Sequence, residues 1–350
     1  MEPLDVGELK CVYCNAKNSR VLSQASDIRY NPNESFTICV CNSCGIMFTA
    51  PHLDEEQITK YYPSNYGQYR ASEEIISTFD DNNIIDNSGL RRKLSLQIKS
   101  AYTNLLYHEV HGSHSSRWIP YLVNSFYRLL MNMSGRNYHY RDEFPMKTGH
   151  NDILYIGSGS PTTFKKIQNT PNIHLTTIDI NEEMCQAYRK VGVDANYGSI
   201  LSTNFPGRKF DVIYFTHVIE HLLHPKDELH QLQEWLSPHG TIVCSFPDHG
   251  SLEWRKKPIY FDVPRHRIHL THKTAKMIFE NANMKILRRL HLPYGWGFYQ
   301  SRFLKRYLQG IVDKKHDFNG PIGKLDYLLS FLLAYVGQSG NVIYYLTKNK

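Results

Sequence analysis

The chain has 350 residues, too many for a single minimal module and enough, at about 150 residues per domain, for roughly two domains with a sizeable core. Hydrophobic residues at 41% and charged residues at 21% lie in the ordinary globular range, which excludes wholesale disorder and low-complexity fibres. The net charge, 40 Lys+Arg less 33 Asp+Glu, is +7, but the basic residues are scattered in short runs such as Arg91-Arg92-Lys93 and Lys256-Lys257. That distribution suits anionic partners and demands none.

The amino terminus has neither the basic n-region nor the apolar h-region of a signal peptide. No run approaches the ~18 apolar residues of a membrane span. The most apolar stretch, residues 325–336, is short, contains Asp326 and is expected to pack into the core; a homodimer contact or a peripheral membrane contact is its other possible use. Five of the seven cysteines fall in the first 44 residues, four of them in two C-x-x-C pairs, which points to metal binding in a reducing cytoplasmic compartment.

Cys11-Val-Tyr-Cys14 and Cys41-Asn-Ser-Cys44 are separated by 26 residues. Two such turns can close a four-sulfur tetrahedral shell around a structural zinc, so Cys11, Cys14, Cys41 and Cys44 are the expected ligands. Short strands expected at 20–23 and 35–40 make residues 1–50 a zinc ribbon. Its core is too small to fold alone, and zinc, worth on the order of 10 kcal/mol in such peptides, would supply the difference. Cys39 is the alternative fourth ligand or a buried strand thiol.

Residues 51–62 follow as a short helix capped by Asp54. Tyr61, Tyr62, Tyr66 and Tyr69 come next, as packing against the following domain or as a substrate platform. Helices expected at 90–107 and 118–133 make residues 51–148 a helical cap.

From residue 149 strands alternate with helices, the pattern of a parallel sheet covered on both faces. Strands are expected at 152–156, 174–178, 210–215, 240–246 and 285–290, with a helix at 271–282. With a short third strand ending near Gly198, the end at 341–347 would be a last strand completing seven, and 292–340 an inserted helical segment. The first strand enters Gly157-Ser-Gly159-Ser-Pro161, a tight turn at the sheet edge where open α/β folds bind ligands. Asp179 ends the second strand 22 residues after Gly157 (179 minus 157), where a carboxylate can accept from a ribose diol.

The series 153–161, Thr177-Ile-Asp-Ile-Asn181, 210–222, Leu236-Ser-Pro-His-Gly240 and Phe246-Pro247 resembles the successive motifs of class I S-adenosylmethionine-dependent methyltransferases. The ribbon and the segment Asp262-Val-Pro-Arg-His-Arg-Ile-His269 resemble bacterial members with an amino-terminal zinc ribbon, associated with sugar and surface-glycan biosynthesis. The resemblance implies an α/β, Rossmann-like seven-stranded core at 149–350 with S-adenosyl-L-methionine as cofactor. It places Gly157 and Gly159 on the methionine side, Asp179 at the ribose, and Ser199 and Ile200 beside the adenine. Three departures stand out: Tyr155 for the usual acidic residue and Pro161 for a third glycine remove a carboxylate and an amide donor, and Ser199 follows Gly198 where an acidic residue is common.

Methyl transfer needs alignment and, for some acceptors, a base. His217-Val-Ile-Glu220-His221 follows the 210–215 strand, and at helical spacing these three side chains share a face. They could form a base with its orienting partner, a divalent-metal clamp, or a structural pair. His266 is a further candidate at the cleft mouth, flanked by Arg265 and Arg267 as possible anion holders. The expected acceptor is a small molecule or glycan. An RNA base is the rival acceptor, which the dispersed basic residues argue against. A catalytically silent cofactor-binding scaffold is the reading from a different class.

Overall fold

The computed structural model describes residues 9–27, 30–63, 66, 72–80, 151–157, 161–168, 172–254, 262–292, 325, 329–330, 332–334 and 336–349. The helices expected at 90–107 and 118–133, Tyr69 and Gly159 lie outside the described residues, as does most of the 292–340 segment.

The amino-terminal strands are β1 (Ser19–Asp27), β2 (Asn31–Cys41) and β3 (Met47–Ala50). They form an antiparallel meander, with β1 and β2 longer than expected because their ladder continues past the cysteine turns to Asp27↔Asn31. Helix α1 (Glu55–Thr59) starts at Asp54, whose side chain accepts from the Gln57 amide while Gln57 caps Asp54 in return. This reciprocal capping satisfies two otherwise orphan donors. Helix α2 (Ser72–Asp80) lies on the central domain, with Ile75 buried in the core and the Thr78 carbonyl accepting from Lys165 Nζ at 2.6 Å.

The remaining elements are β4 (Asn151–Ile156), α3 (Pro161–Gln168), β5 (Ile173–Asp179), α4 (Glu182–Lys190), β6 (Asp194–Tyr197) and β7 (Phe210–Thr216). They continue as α5 (Pro225–Trp235), β8 (Leu236–Pro247), β9 (Ile268–His269), α6 (His272–Asn281), β10 (Met284–Leu292) and β11 (Asn341–Lys348). Seven strands form one sheet in the order β10-β11-β8-β7-β4-β5-β6. The five strands from β6 to β8 are parallel, and β11 enters antiparallel between β8 and β10. The fold is therefore the Rossmann-like seven-stranded α/β architecture the sequence pattern indicates.

Alternate residues of the central strands feed two cores. Leu154, Ile156, Ile213 and Phe215 face one side and Ile153, Tyr155, Val212 and Tyr214 the other. Strands buried on both faces have no polar side to offer, which explains their continuous apolar runs. Tyr155 belongs to this arrangement: it is 2% exposed and packs against the rings of Phe164 and Tyr214 at 4.8 and 4.9 Å.

The two sheets are joined through β9. It pairs antiparallel with β3, Phe48 opposite Ile268 and Met47 opposite His269, so the ribbon sheet borrows its fourth strand from the far end of the chain. Beside this joint Arg265, fully buried, holds both carboxylate oxygens of Asp27 at 2.8 Å and Asp262 at 2.8 Å, and its guanidinium lies over the Tyr30 ring. Its proton is held above the ordinary arginine range: burial works against the charge, and the two carboxylates outweigh it.

The expectation that 325–336 packs into the core fails for four of its apolar residues. Leu325, Leu329, Leu332 and Val336 are exposed, while Ser330 is buried and donates to Glu253 Oε2 at 2.6 Å. The same oxygen accepts from the Gly340 amide, so the inward anchor is polar and the leucine stripe turns outward. Among the described residues no helix is long and apolar enough to cross a membrane.

Candidate functional site

The sheet order reverses at β4, which has β5 on one side and β7 on the other, and the crevice beyond the carboxyl ends of these strands is where such folds place a ligand. Gly157 leaves β4 with φ 78°, a left-handed conformation that glycine adopts without strain. A Cβ there would meet Val218 Cγ2 at 3.0 Å, so the glycine also lets this turn press against the start of the His217–His221 segment. Pro161 stands at the first residue of α3, where a missing N–H removes no helical hydrogen bond.

Asp179, half-buried, ends β5 opposite Tyr197, and its Oδ1 accepts from the Asn181 amide at 2.8 Å. Ile180, next in sequence, and Tyr197, its strand partner, are exposed beside it, apolar surface that the sequence did not single out. Exposed apolar side chains next to a carboxylate suit a nucleoside, whose base is flat and whose ribose is polar. Ser199 spends its amide and hydroxyl within its own turn, on Ser202 Oγ at 2.8 and 3.1 Å. The Ile200 side chain is 4% exposed and packs in the core.

The four ribbon cysteines converge. Sγ of Cys11 lies 3.6 Å from that of Cys44, and Sγ of Cys14 lies 3.6 Å from that of Cys41, all four within 4.8 Å of one another. Each turn is built alike. The Asn15 amide donates to the Cys11 carbonyl and the Gly45 amide to the Cys41 carbonyl, with Asn15 and Gly45 both left-handed at φ 58° and 77°. Four convergent sulfurs fit a tetrahedral zinc with no open position. Cys39 lies outside this group as a buried strand thiol, its pKa raised by desolvation.

The His217–His221 segment is a tight turn, with a single 3-10 element at Ile219–His221. His217, at φ 53°, folds back so that its Nδ1 lies 3.1 Å from Glu220 Oε1. His221 takes a different direction. Its Nδ1 lies 3.1 Å from the Tyr62 hydroxyl and its ring stands edge-on to His266, centroids 4.7 Å apart. Glu220, His221 and His266 nevertheless bring ligand atoms within 4.8 Å of one another. Burial lowers the pKa of His221 and carries that of His266 well down, so both rings are neutral near pH 7.

The structure gives the neighbouring residues roles the sequence did not reveal. Arg265 is committed to Asp27 and Asp262, and the buried Arg267 donates to the Leu53 carbonyl, so neither is placed to hold a substrate anion. Tyr62 does more than pack, since it reaches His221 across the junction between the two sheets. Tyr61 and Tyr66 are packing residues: Tyr61 stands against Phe36 and Tyr66 against Tyr30 and Tyr62. His249 and His269 join the same neighbourhood, His269 with a ring centroid 6.3 Å from that of His266. The spacing His266-x-x-His269 was the available signal.

Residues 132–288 match a family model described as a methyltransferase domain, a stretch that holds the switch point, the Gly157 turn, Asp179 and the histidine turn. The chain therefore carries a methyltransferase domain over that stretch. A comparison with curated proteins finds no match. Among solved structures the chain is similar to a Haloferax volcanii complex containing the Trm112 methyltransferase activator, at 10% identity over 81% of this chain and 100% of that one, with a TM-score of 0.43. It is also similar to the plantazolicin methyltransferase BpumL in complex with SAH, at 17% identity over 80% and 98% of the two chains and a TM-score of 0.38. A third is coclaurine N-methyltransferase bound to N-methylheliamine and SAH, at 12% identity over 79% and 93% with a TM-score of 0.40.

Proposed function

We propose that the enzyme methylates a small polar acceptor of the sugar, nucleotide-sugar or glycan class, with His221 as the general base. The observation that carries this reading is the hydrogen bond between His221 Nδ1 and the Tyr62 hydroxyl, which fixes a neutral imidazole beside the cofactor edge of the sheet. When Nδ1–H is donated to the tyrosine oxygen, Nε2 keeps its lone pair for an acceptor proton. Bound S-adenosylmethionine supplies an electrophilic methyl group on a sulfonium. Gly157 and Gly159 would line its methionine end, Asp179 its ribose and the Ser199 turn its base.

Glu220 and His217 form the next layer and hold the turn that presents His221. A surround of histidine, glutamate and tyrosine suits hydroxyl groups, and the committed arginines disfavour a polyanion such as RNA. The four ribbon cysteines would hold one structural zinc, keeping β3 rigid against β9 and Tyr62 in place.

Labelled methyl donor offered with nucleotide sugars, free sugars and glycans should give a product 14 daltons heavier. In His221→Gln the turnover should fall by roughly 100-fold or more, the range for loss of a positioned base, while affinity for S-adenosylhomocysteine stays within about twofold. Unchanged turnover in this variant removes the base assignment.

A further inference from the structure

We propose that His249, His266 and His269 form a divalent-metal site of the zinc type, separate from the cysteine cluster of the ribbon. One ligand nitrogen from each ring lies within 4.8 Å of those of the other two. The three residues come from different places: His249 just beyond β8, His266 from the loop before β9, and His269 from β9 itself. Three imidazoles leave a fourth tetrahedral position open, the arrangement that lets a bound ion take water or a substrate oxygen.

The hydrogen bonding of His269 sets its ring for this task. The Thr49 hydroxyl lies 2.7 Å from the His266 carbonyl, which can only accept, so the hydroxyl proton goes there. Toward His269 Nε2, 2.9 Å away, the Thr49 oxygen must then act as acceptor. His269 thus carries its proton on Nε2 and its lone pair on Nδ1. Metal-binding histidines usually donate their second ring nitrogen in this way, which fixes tautomer and orientation.

The other two rings are consistent with the same use. His266 is nine-tenths buried, and its Nδ1 makes no hydrogen bond. Its Nε2 faces Glu220 Oε1 and Asp262 Oδ2, each at 3.9 Å, two carboxylates able to balance the charge of a cation beside the ring. His249 stands edge-on to His269 with centroids 5.3 Å apart. Three rings from separate places thus converge on one point, and an ion there would hold them together.

The inference does not depend on the acceptor, because metal binding is read without turnover. Full-length protein loaded with cobalt should hold one equivalent beyond the thiolate-bound ion, which alone gives sulfur-to-cobalt charge-transfer absorption. His249→Asn and His269→Gln should each lose that equivalent with the charge-transfer band intact, and His221→Asn should keep it. Thr49→Ala should weaken cobalt binding by about 10- to 100-fold, the usual cost of losing an outer partner, which a packing role would not do. If His269→Gln fails to fold, His249→Asn carries the test, since His249 is only half-buried. No cobalt beyond the thiolate-bound ion in the wild type, or retention of the second equivalent in His249→Asn, overturns the proposal. So does its loss in His221→Asn alone, which would put the ion on Glu220 and His221.

Discussion

The cysteine cluster and the histidine cluster lie on the same molecule and are built in opposite ways. The cysteines come from two turns of the same design, each fixed by local hydrogen bonds and a left-handed residue at 15 or 45. The histidines come from just beyond β8, from the loop before β9 and from β9 itself, which pairs with β3. Local spacing is sufficient to specify the first site, whereas the second exists only through the fold.

Breaking the local cluster should have the largest effect. Cys11→Ser removes one of four sulfurs, and with metal binding worth on the order of 10 kcal/mol the ribbon should lose its fixed structure. Hydrogen exchange should show β1 to β3 unprotected. Because Thr49 contacts His269 and Tyr62 contacts His221, turnover should fall as well, while the β4 to β8 sheet stays protected. Full ribbon protection in Cys11→Ser would show that the four thiols are not a metal shell.

The joint between the regions should come second. Asp27→Ala leaves Arg265, fully buried, with Asp262 as its only carboxylate partner among the described residues, and breaking a buried pair typically costs about 3–5 kcal/mol. Denaturant unfolding should show a loss near the lower end of that range, since Asp262 remains. A loss below about 1 kcal/mol would mean that the pair does not fasten the ribbon to the site.

A smaller effect should follow from Glu228 on α5, whose Oε2 accepts from the His224 amide at 2.8 Å. Burial raises its carboxyl pKa from 4.5 to about 7, so the folded protein binds this proton more tightly than the unfolded chain. The stability it contributes is complete below pH 4.5 and is lost as pH rises through about 7. Glu228→Gln keeps an acceptor for the amide and removes the titration. Its stability relative to wild type should therefore rise across that window, by at most ~3 kcal/mol. A difference independent of pH would place the Glu228 proton elsewhere.

Much of the central fold was legible because each signal was local. The apolar runs, the Gly157 turn and the capping residue Asp54 each determine their own element from a few neighbours. The last strand was legible too, and it pairs with both β8 and β10. What escaped depended on distance in sequence. Nothing near residue 265 reveals Asp27, so Arg265 looked like a substrate-binding cation although it is an internal fastener. Nothing near residue 62 reveals His221, so packing and a site role for Tyr62 could not be told apart. The 325–336 stretch misled for a related reason: its composition suggests burial, but Leu325, Leu329, Leu332 and Val336 are exposed while the Ser330 hydroxyl is bound inward on Glu253.

The most direct test of the central claim, S-adenosylmethionine-dependent methyl transfer from the carboxyl edge of β4 and β5, is calorimetric titration of S-adenosylhomocysteine into the wild type and Asp179→Ala. One site per chain is expected in the wild type. In the variant, affinity should be roughly 10- to 100-fold weaker, as expected for losing hydrogen bonds to a charged carboxylate. No heat of binding in the wild type at millimolar ligand, or equal affinity in the two proteins, would contradict it.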